Sequence, residues 1–207
     1  MRTSPERDVA PHPPVEGRSP AIFKRIHRGG CHSPAKLRRQ LRLYARGASL
    51  IFDARGEYDD RTSLTLDEIE GLASRFASCW GEMRRRPELG YTTHLFMSFP
   101  IGATLRQVVE VSRFICDEFF QGEGAHFDYI AAVHHDHPHP RVHILLNRPS
   151  PMGDVFHLWK RGPYSYEAFR AAMVRYGDLL GLRLEASLRD ERDEAEVDAE
   201  TEAHAGT

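Results

Sequence analysis

Apolar residues recur along this chain in two rhythms, a two-residue alternation and a three-to-four-residue repeat, and each predicts a kind of element. PAIFKRI (20–26), THLFMSF (93–99), FDYIAAVH (127–134) and RVHILLN (141–147) are short, rich in β-branched and aromatic residues, and bounded by turn formers, as strands are. Arg28-Gly29-Gly30 closes the first of these runs and Pro100 ends the second. Between them lie helical stretches. Ser33-Pro34 is a cap followed by a first-turn proline, and the helix it opens carries Leu37, Leu41 and Tyr44 on one face and stops near Gly47. Thr65 and Glu68 form a T-x-x-E capping pattern ahead of a helix over 66–86. Residues 104–120 have helical spacing behind a threonine cap, and a last helix over 166–180 ends at Gly181. Strands and helices without regular βαβ alternation predict an α+β fold, a single domain with an antiparallel β-sheet covered by helices.

A chain of 207 residues, 41% hydrophobic and 28% charged, suits one well-filled soluble domain. No apolar run is long enough for a membrane span, and the first twenty residues contain no hydrophobic stretch, so cytoplasmic synthesis is expected. Cys31, Cys79 and Cys116 are odd in number and widely spaced, which fits reduced thiols rather than a disulfide framework. The net charge of −2 hides an uneven distribution. From Asp190 to Glu202 eight acidic residues face only Arg192, whereas between Gly17 and Phe52 nine lysines and arginines face no carboxylate. The expected organisation is a proline-bearing leader (1–19), a folded domain (20–189) and an acidic tail (190–207). The basic block, with Arg38, Arg39, Arg42 and Arg46 at its centre, is the footprint of a phosphate-binding surface.

Five of the twelve histidines fall between His134 and His143, in HHDHPHPRVHILLN. The link between the two strand-like runs is too short for a crossover helix, so they form an antiparallel hairpin. Alternation places Arg141, His143, Leu145 and Asn147 on one face, and the pairing brings His134 close to Arg141 and His143. Imidazoles gathered in this way can hold a divalent metal with positions left open for substrate oxygens. Asp136 stands where it could accept a ring N–H from a histidine ligand.

This segment resembles the histidine motif of conjugative relaxases of the MOBP class, HxDxxxPHxHxxxN, in particular their T-DNA border endonuclease branch. THLFMSFP, FDYIAAVH, YSYEAFRAAM and GLRLEAS resemble that branch in the same order, and the likeness spans about residues 20–189. The resemblance implies a HUH relaxase-like fold in which His134 and His143 bind metal and Asp136 and Asn147 serve the motif. Arg141 stands where the first histidine of HxH is expected, and an arginine has no lone pair to offer a metal. Three alternatives follow: His139 or His137 supplies the third ligand, with His139 preferred; the metal is held more weakly; or Arg141 binds the scissile phosphate itself.

The resemblance also implies a catalytic tyrosine on the first helix. QLRLYARG offers Tyr44, one residue later than a gap-free match, with Leu43 in the expected position; Tyr58 in the acidic GEYDD is the fallback. Arg42 and Arg46 are expected to lower the phenol's pKa. The implied chemistry is nicking and rejoining of single-stranded origin DNA through a 5′-phosphotyrosine, assisted by Mg or Mn, to initiate conjugative or mobilisation transfer. Implied partners are accessory relaxosome proteins and a type IV coupling protein, with no membrane contact. Lys160 and Arg161, beside Trp159, Tyr164 and Tyr166, are further candidate DNA contacts. A non-catalytic DNA-binding homologue and a rolling-circle replication initiator are the competing readings.

Overall fold

The computed structural model describes residues 17–82, 87–122 and 126–186. Its strands are β1 (Ser19–Pro20), β2 (Ile22–Arg25), β3 (Leu50–Asp53), β4 (Thr92–Ser98), β5 (Tyr129–His134), β6 (Arg141–Asn147) and β7 (Leu184–Glu185). The helices are α1 (Pro34–Ala45), α2 (Leu66–Ala77), α3 (Leu105–Phe120) and α4 (Tyr166–Leu179), with a 3₁₀ turn at Trp80–Glu82. Five strands form one antiparallel sheet in the order β2-β4-β6-β5-β3. This is the α+β, single-domain arrangement that the two rhythms predict. The acidic tail and residues 1–16 of the leader lie outside the described residues.

Helix boundaries follow from local chemistry. Ser33 accepts from the Lys36 amide and Pro34 fills the first turn of α1. Thr65–Glu68 and Thr104–Gln107 form reciprocal capping boxes at α2 and α3. Gly181, at φ 77°, takes the left-handed position just beyond α4. The helix expected over 66–86 is shorter than its apolar spacing implied: α2 stops at Ala77, the chain tightens into the 3₁₀ turn, and 83–86 lie outside the described residues.

The sheet's two faces are buried against different helices, although the edge strand β2 buries only Phe23. Phe23, Leu95, Met97, Ala131, Val133, Val142, Ile144 and Leu146 pack with α3 and α4. Ile51, Ile130, Ala132 and Leu145 pack with Leu37 and Leu41 of α1 and with Ile69, Leu72 and Phe76 of α2. β4 is buried at all seven positions, as an inner strand covered on both sides must be. Because side chains alternate, a slip of one residue would exchange the two cores, so burial on both faces fixes the register. The face under α1 and α2 therefore receives His94, Arg141, His143 and His134.

Candidate active site

Tyr44 and three imidazoles meet between α1 and the middle of the sheet. The Tyr44 ring lies 4.3 Å, centroid to centroid, from His94 and stacks on His143 at 5.0 Å. His134 meets His143 edge-on at 5.5 Å, and His94 lies 5.1 Å from His143. Each position follows from the fold. Leu37, Leu41 and Ala45 seat α1 on the sheet, so Tyr44 overhangs the β4–β6 boundary, half-buried. His143 pairs across the ladders with Phe96 and Ala132, and His134 with Arg141.

Protonation states follow from burial. Desolvation pushes His94, fully buried, down to about 3, and holds His143 well below the ordinary imidazole range, with His94, His134 and Arg141 adding repulsion. His134 is lowered for the same reason, against a hydrogen bond from its Nε2–H to the Tyr44 carbonyl at 3.0 Å. At neutral pH all three rings are neutral. His94 Nε2 and His143 Nδ1 share one hydrogen bond at 2.9 Å, while His94 Nδ1 is buried without a partner. Burial, with the Cys31 thiol next, raises the Tyr44 phenol above its ordinary value. The lowering expected from Arg42 and Arg46 is thus overridden, because both arginines are exposed and screened whereas the phenol is not.

Several expected site residues are engaged elsewhere. His139 lies exposed in the β5–β6 turn with its Nδ1 on the Phe99 carbonyl at 3.2 Å, where Phe99 N–H also bonds Pro140 O. His94, not His139, is the third imidazole beside His143, because β4 rather than the turn lies next to β6. His137 is exposed with Asp136 at 3.7 Å; Asp136 is likewise exposed and acts on His134 only through its charge. Asn147 is buried at the far end of β6, accepting from Trp80 Nε1 at 2.8 Å and donating to the Phe76 carbonyl at 3.1 Å. Its amide ties the end of α2 to the sheet rather than facing the imidazoles. Arg141 is half-buried beside His134 in the ladder.

Arg39 and Arg42 share one exposed face of α1 and Arg46 follows, exposed, at its C-cap, while Arg38 is paired with Glu70 at 2.8 Å. Lys160 and Arg161 are exposed in a loop anchored by Phe156 and Tyr164 in the α3/α4 core, away from the α1 arginines. Of the aromatic candidates there, Trp159 is exposed, whereas Tyr164 packs on Phe156 and Tyr166 on Phe23. Tyr58 sits over Arg75, whose guanidinium pairs with Asp53, Glu57 and Asp128, in an acidic setting unsuited to DNA. Among the described residues no three histidine, cysteine or carboxylate side chains stand as a ready-formed metal centre.

With this geometry in place, relatedness to known proteins decides the family. The family model of the MobA/VirD2-like relaxase nuclease domain matches residues 53–177. The chain belongs to the MobA/VirD2-like relaxase family. It is 30% identical over 190 residues to the T-DNA border endonuclease VirD2 of Agrobacterium fabrum (strain C58), covering 84% of this chain and 41% of that one. VirD2 of Rhizobium rhizogenes is also 30% identical over 190 residues, covering 84% of this chain and 42% of its own. VirD2 of Rhizobium radiobacter is 28% identical over 193 residues, covering 86% and 44%. This relaxase-family chain thus spans about two fifths of the length of these relatives. Among its described residues no helix is long and apolar enough to cross a membrane.

Proposed function

We propose that this chain nicks and rejoins single-stranded DNA at a transfer origin, with Tyr44 as nucleophile, and so initiates conjugative or mobilisation transfer. The observation that carries this reading is the Tyr44 ring stacked on His143 and beside His94, with His134 adjacent. In the reaction the phenolic oxygen bonds to phosphorus as the bond to the 3′-oxygen breaks, leaving a 5′-phosphotyrosine and a 3′-hydroxyl. The covalent link keeps the phosphodiester's energy, so the reverse attack rejoins the strand. Burial holds the phenol's proton, so the reaction needs a base; the imidazoles beside it are neutral, but the same burial makes them weak acceptors, so the proton leaves as the bond to phosphorus forms rather than beforehand.

A divalent ion, Mg or Mn, would neutralise charge on the non-bridging oxygens. Neutral imidazoles are the ligand form a metal needs, and His134 and His143 with His94 are the available set; the unpartnered Nδ1 of His94 is a donor atom without a task. As the rings stand they are not a three-ligand centre, so no step is assigned to the ion. Arg141 carries a fixed positive charge beside His134 and would bind the scissile phosphate. Arg39, Arg42 and Arg46 would follow the strand's backbone, with Arg38 contributing less while it pairs with Glu70. Relaxosome proteins and a type IV coupling protein would be the partners, in a soluble, cytoplasmic setting. Asp136 would tune His134 through its charge, and Lys160 and Arg161 would contact DNA beyond the site.

The test is an oligonucleotide carrying the element's own nick site, incubated with wild type and Tyr44→Phe, with and without EDTA. Wild type should form a covalent adduct resolved on a denaturing gel, and Tyr44→Phe should bind the same DNA and form none. An adduct undiminished in Tyr44→Phe would overturn the assignment. Arg141 favours a second reading, a DNA-binding homologue without turnover. There the wild type binds but forms no adduct with any divalent ion, and Arg141→His is expected to restore one; failure to do so removes the missing ligand as the explanation.

A further inference from the structure

A cleft of about 420 Å³ opens at the end of the sheet where β4 begins and β6 ends, within the size range of pockets that bury a small ligand. Arg25, Arg28, Lys36, Arg148 and His157 line it, and Glu88 is the single carboxylate among the lining residues. Arg148 is only 4% exposed, and its guanidinium donates to the carbonyls of Phe156 and Gly90 and to His157 Nδ1, at 2.9–3.1 Å. All three partners are neutral. A buried guanidinium without a carboxylate is costly unless something supplies negative charge. Here a second cation, Arg25, stands close enough to lower its pKa further. An anion in the cleft would relieve both effects.

Apolar groups share the walls: Leu89, 52% exposed, and Leu158. Charge and apolar surface side by side suit a ligand with an anionic backbone and flat, weakly polar rings. The cleft is also joined to the Tyr44 site. Gly29 lines it and at the same time lies on His94, so closely that a Cβ there would fall 2.6 Å from His94 Cβ. Lys36 and Gln40 of α1 hold this loop through the carbonyls of Arg28, Gly29 and Gly30. A single thickness of chain thus separates the imidazole cluster from the cleft. On the other side the wall continues through His157 and Leu158 to the exposed Trp159, whose ring lies 5.5 Å from His157.

We propose that the cleft is a second single-strand subsite, where Arg25, Arg28 and Lys36 hold backbone phosphates of the strand leaving the Tyr44 site and Leu89 and Leu158 take a base. It rests on the relaxase reading. Arg148 acts from beneath as fixed positive charge, and Lys36 keeps a third N–H for phosphate after its two carbonyl bonds. The subsite joins the α1 arginines to Lys160 and Arg161, which otherwise stand apart.

Binding of a fluorescently labelled oligothymidylate of about twenty nucleotides to the full chain, across a salt series, tests this. The double variant Arg25→Gln/Arg28→Gln should lose roughly tenfold in affinity, and its salt slope should fall by about 1.4, ~0.7 per lost phosphate contact. Photocrosslinks from thiothymidine in the same oligonucleotide should map to 25–36, 88–89 or 148–159 in the wild type. A double variant that melts as wild type and binds with unchanged affinity and slope overturns the proposal. So do crosslinks confined to residues 38–46, or displacement by millimolar inorganic phosphate alone with no effect of the double variant on strand binding. If the wild type forms the Tyr44 adduct while the double variant binds normally, only the cleft assignment falls. If the wild type neither binds the strand nor forms an adduct, the relaxase reading falls with it.

Discussion

Among single residues, Asn147 separates a catalytic from a structural role most cleanly. Its oxygen accepts from Trp80 and its amide donates to the Phe76 carbonyl, all among groups that water barely reaches. Replacing it with leucine strands a buried indole N–H and a buried carbonyl, at ~1–3 kcal/mol for each unsatisfied group. Asn147→Leu is expected to destabilise the fold by about 2 kcal/mol or more, a fall of roughly 5 °C or more in melting temperature for a domain of this size, while adduct formation in the cold persists. Calorimetry beside the adduct assay distinguishes the roles: loss of adduct with unchanged melting would make Asn147 part of the chemistry. The motif position of Asn147 was legible in the sequence, but its partner was not, since Trp80 lies in a 3₁₀ turn where a continuous helix was expected. His94 is the converse. It stands inside THLFMSF, where alternation gives its face but not its neighbours; only the β4-β6 adjacency puts it against His143.

Among elements, the runs that became β2, β4, β5 and β6 were legible because each carries its own alternation and turn signals. β3 was not: LIFD is four residues long, directly behind the end of α1, and its partner β5 lies far along the chain. The two-residue strands β1 and β7 are likewise defined only by pairing across the whole described region. The loop between β2 and α1 shows how a local signal acquires a second meaning. Arg28-Gly29-Gly30 reads as a turn, yet Gly29 is required because the backbone rests on His94, and Gly30 because Leu89 O would lie 1.9 Å from a Cβ. Gly29→Ala must therefore push His94 or the loop outward. It is expected to weaken adduct formation more than overall stability, visible as lower adduct yield at a temperature well below melting. Full yield from Gly29→Ala would mean that the close contact between this loop and His94 has no bearing on the chemistry.

Over the whole molecule, the two faces of the sheet divide the work: α3 and α4 cover an almost entirely apolar core, while α1 and α2 cover the face that carries neutral, desolvated imidazoles. That division makes the fold acid-sensitive in a defined direction. A histidine buried in its neutral form has a folded pKa below its unfolded value near 6.5, so the unfolded chain binds the proton first as pH falls. Above about pH 7 both states are neutral at these rings and stability is independent of them. Below about 6.5 the unfolded state gains protons that folded His94 refuses until about pH 3, so stability falls across that window. The slope approaches ~1.4 kcal/mol per pH unit for each such ring well below 6.5. His134 and His143 shift in the same direction and steepen the loss. Melting curves between pH 5 and 8 should show a plateau above 7 and a fall below 6.5, and His94→Gln, although less stable at pH 7, should show the shallower fall. Parallel profiles for wild type and His94→Gln would mean that burial does not hold the ring neutral beneath Tyr44 as the pH falls.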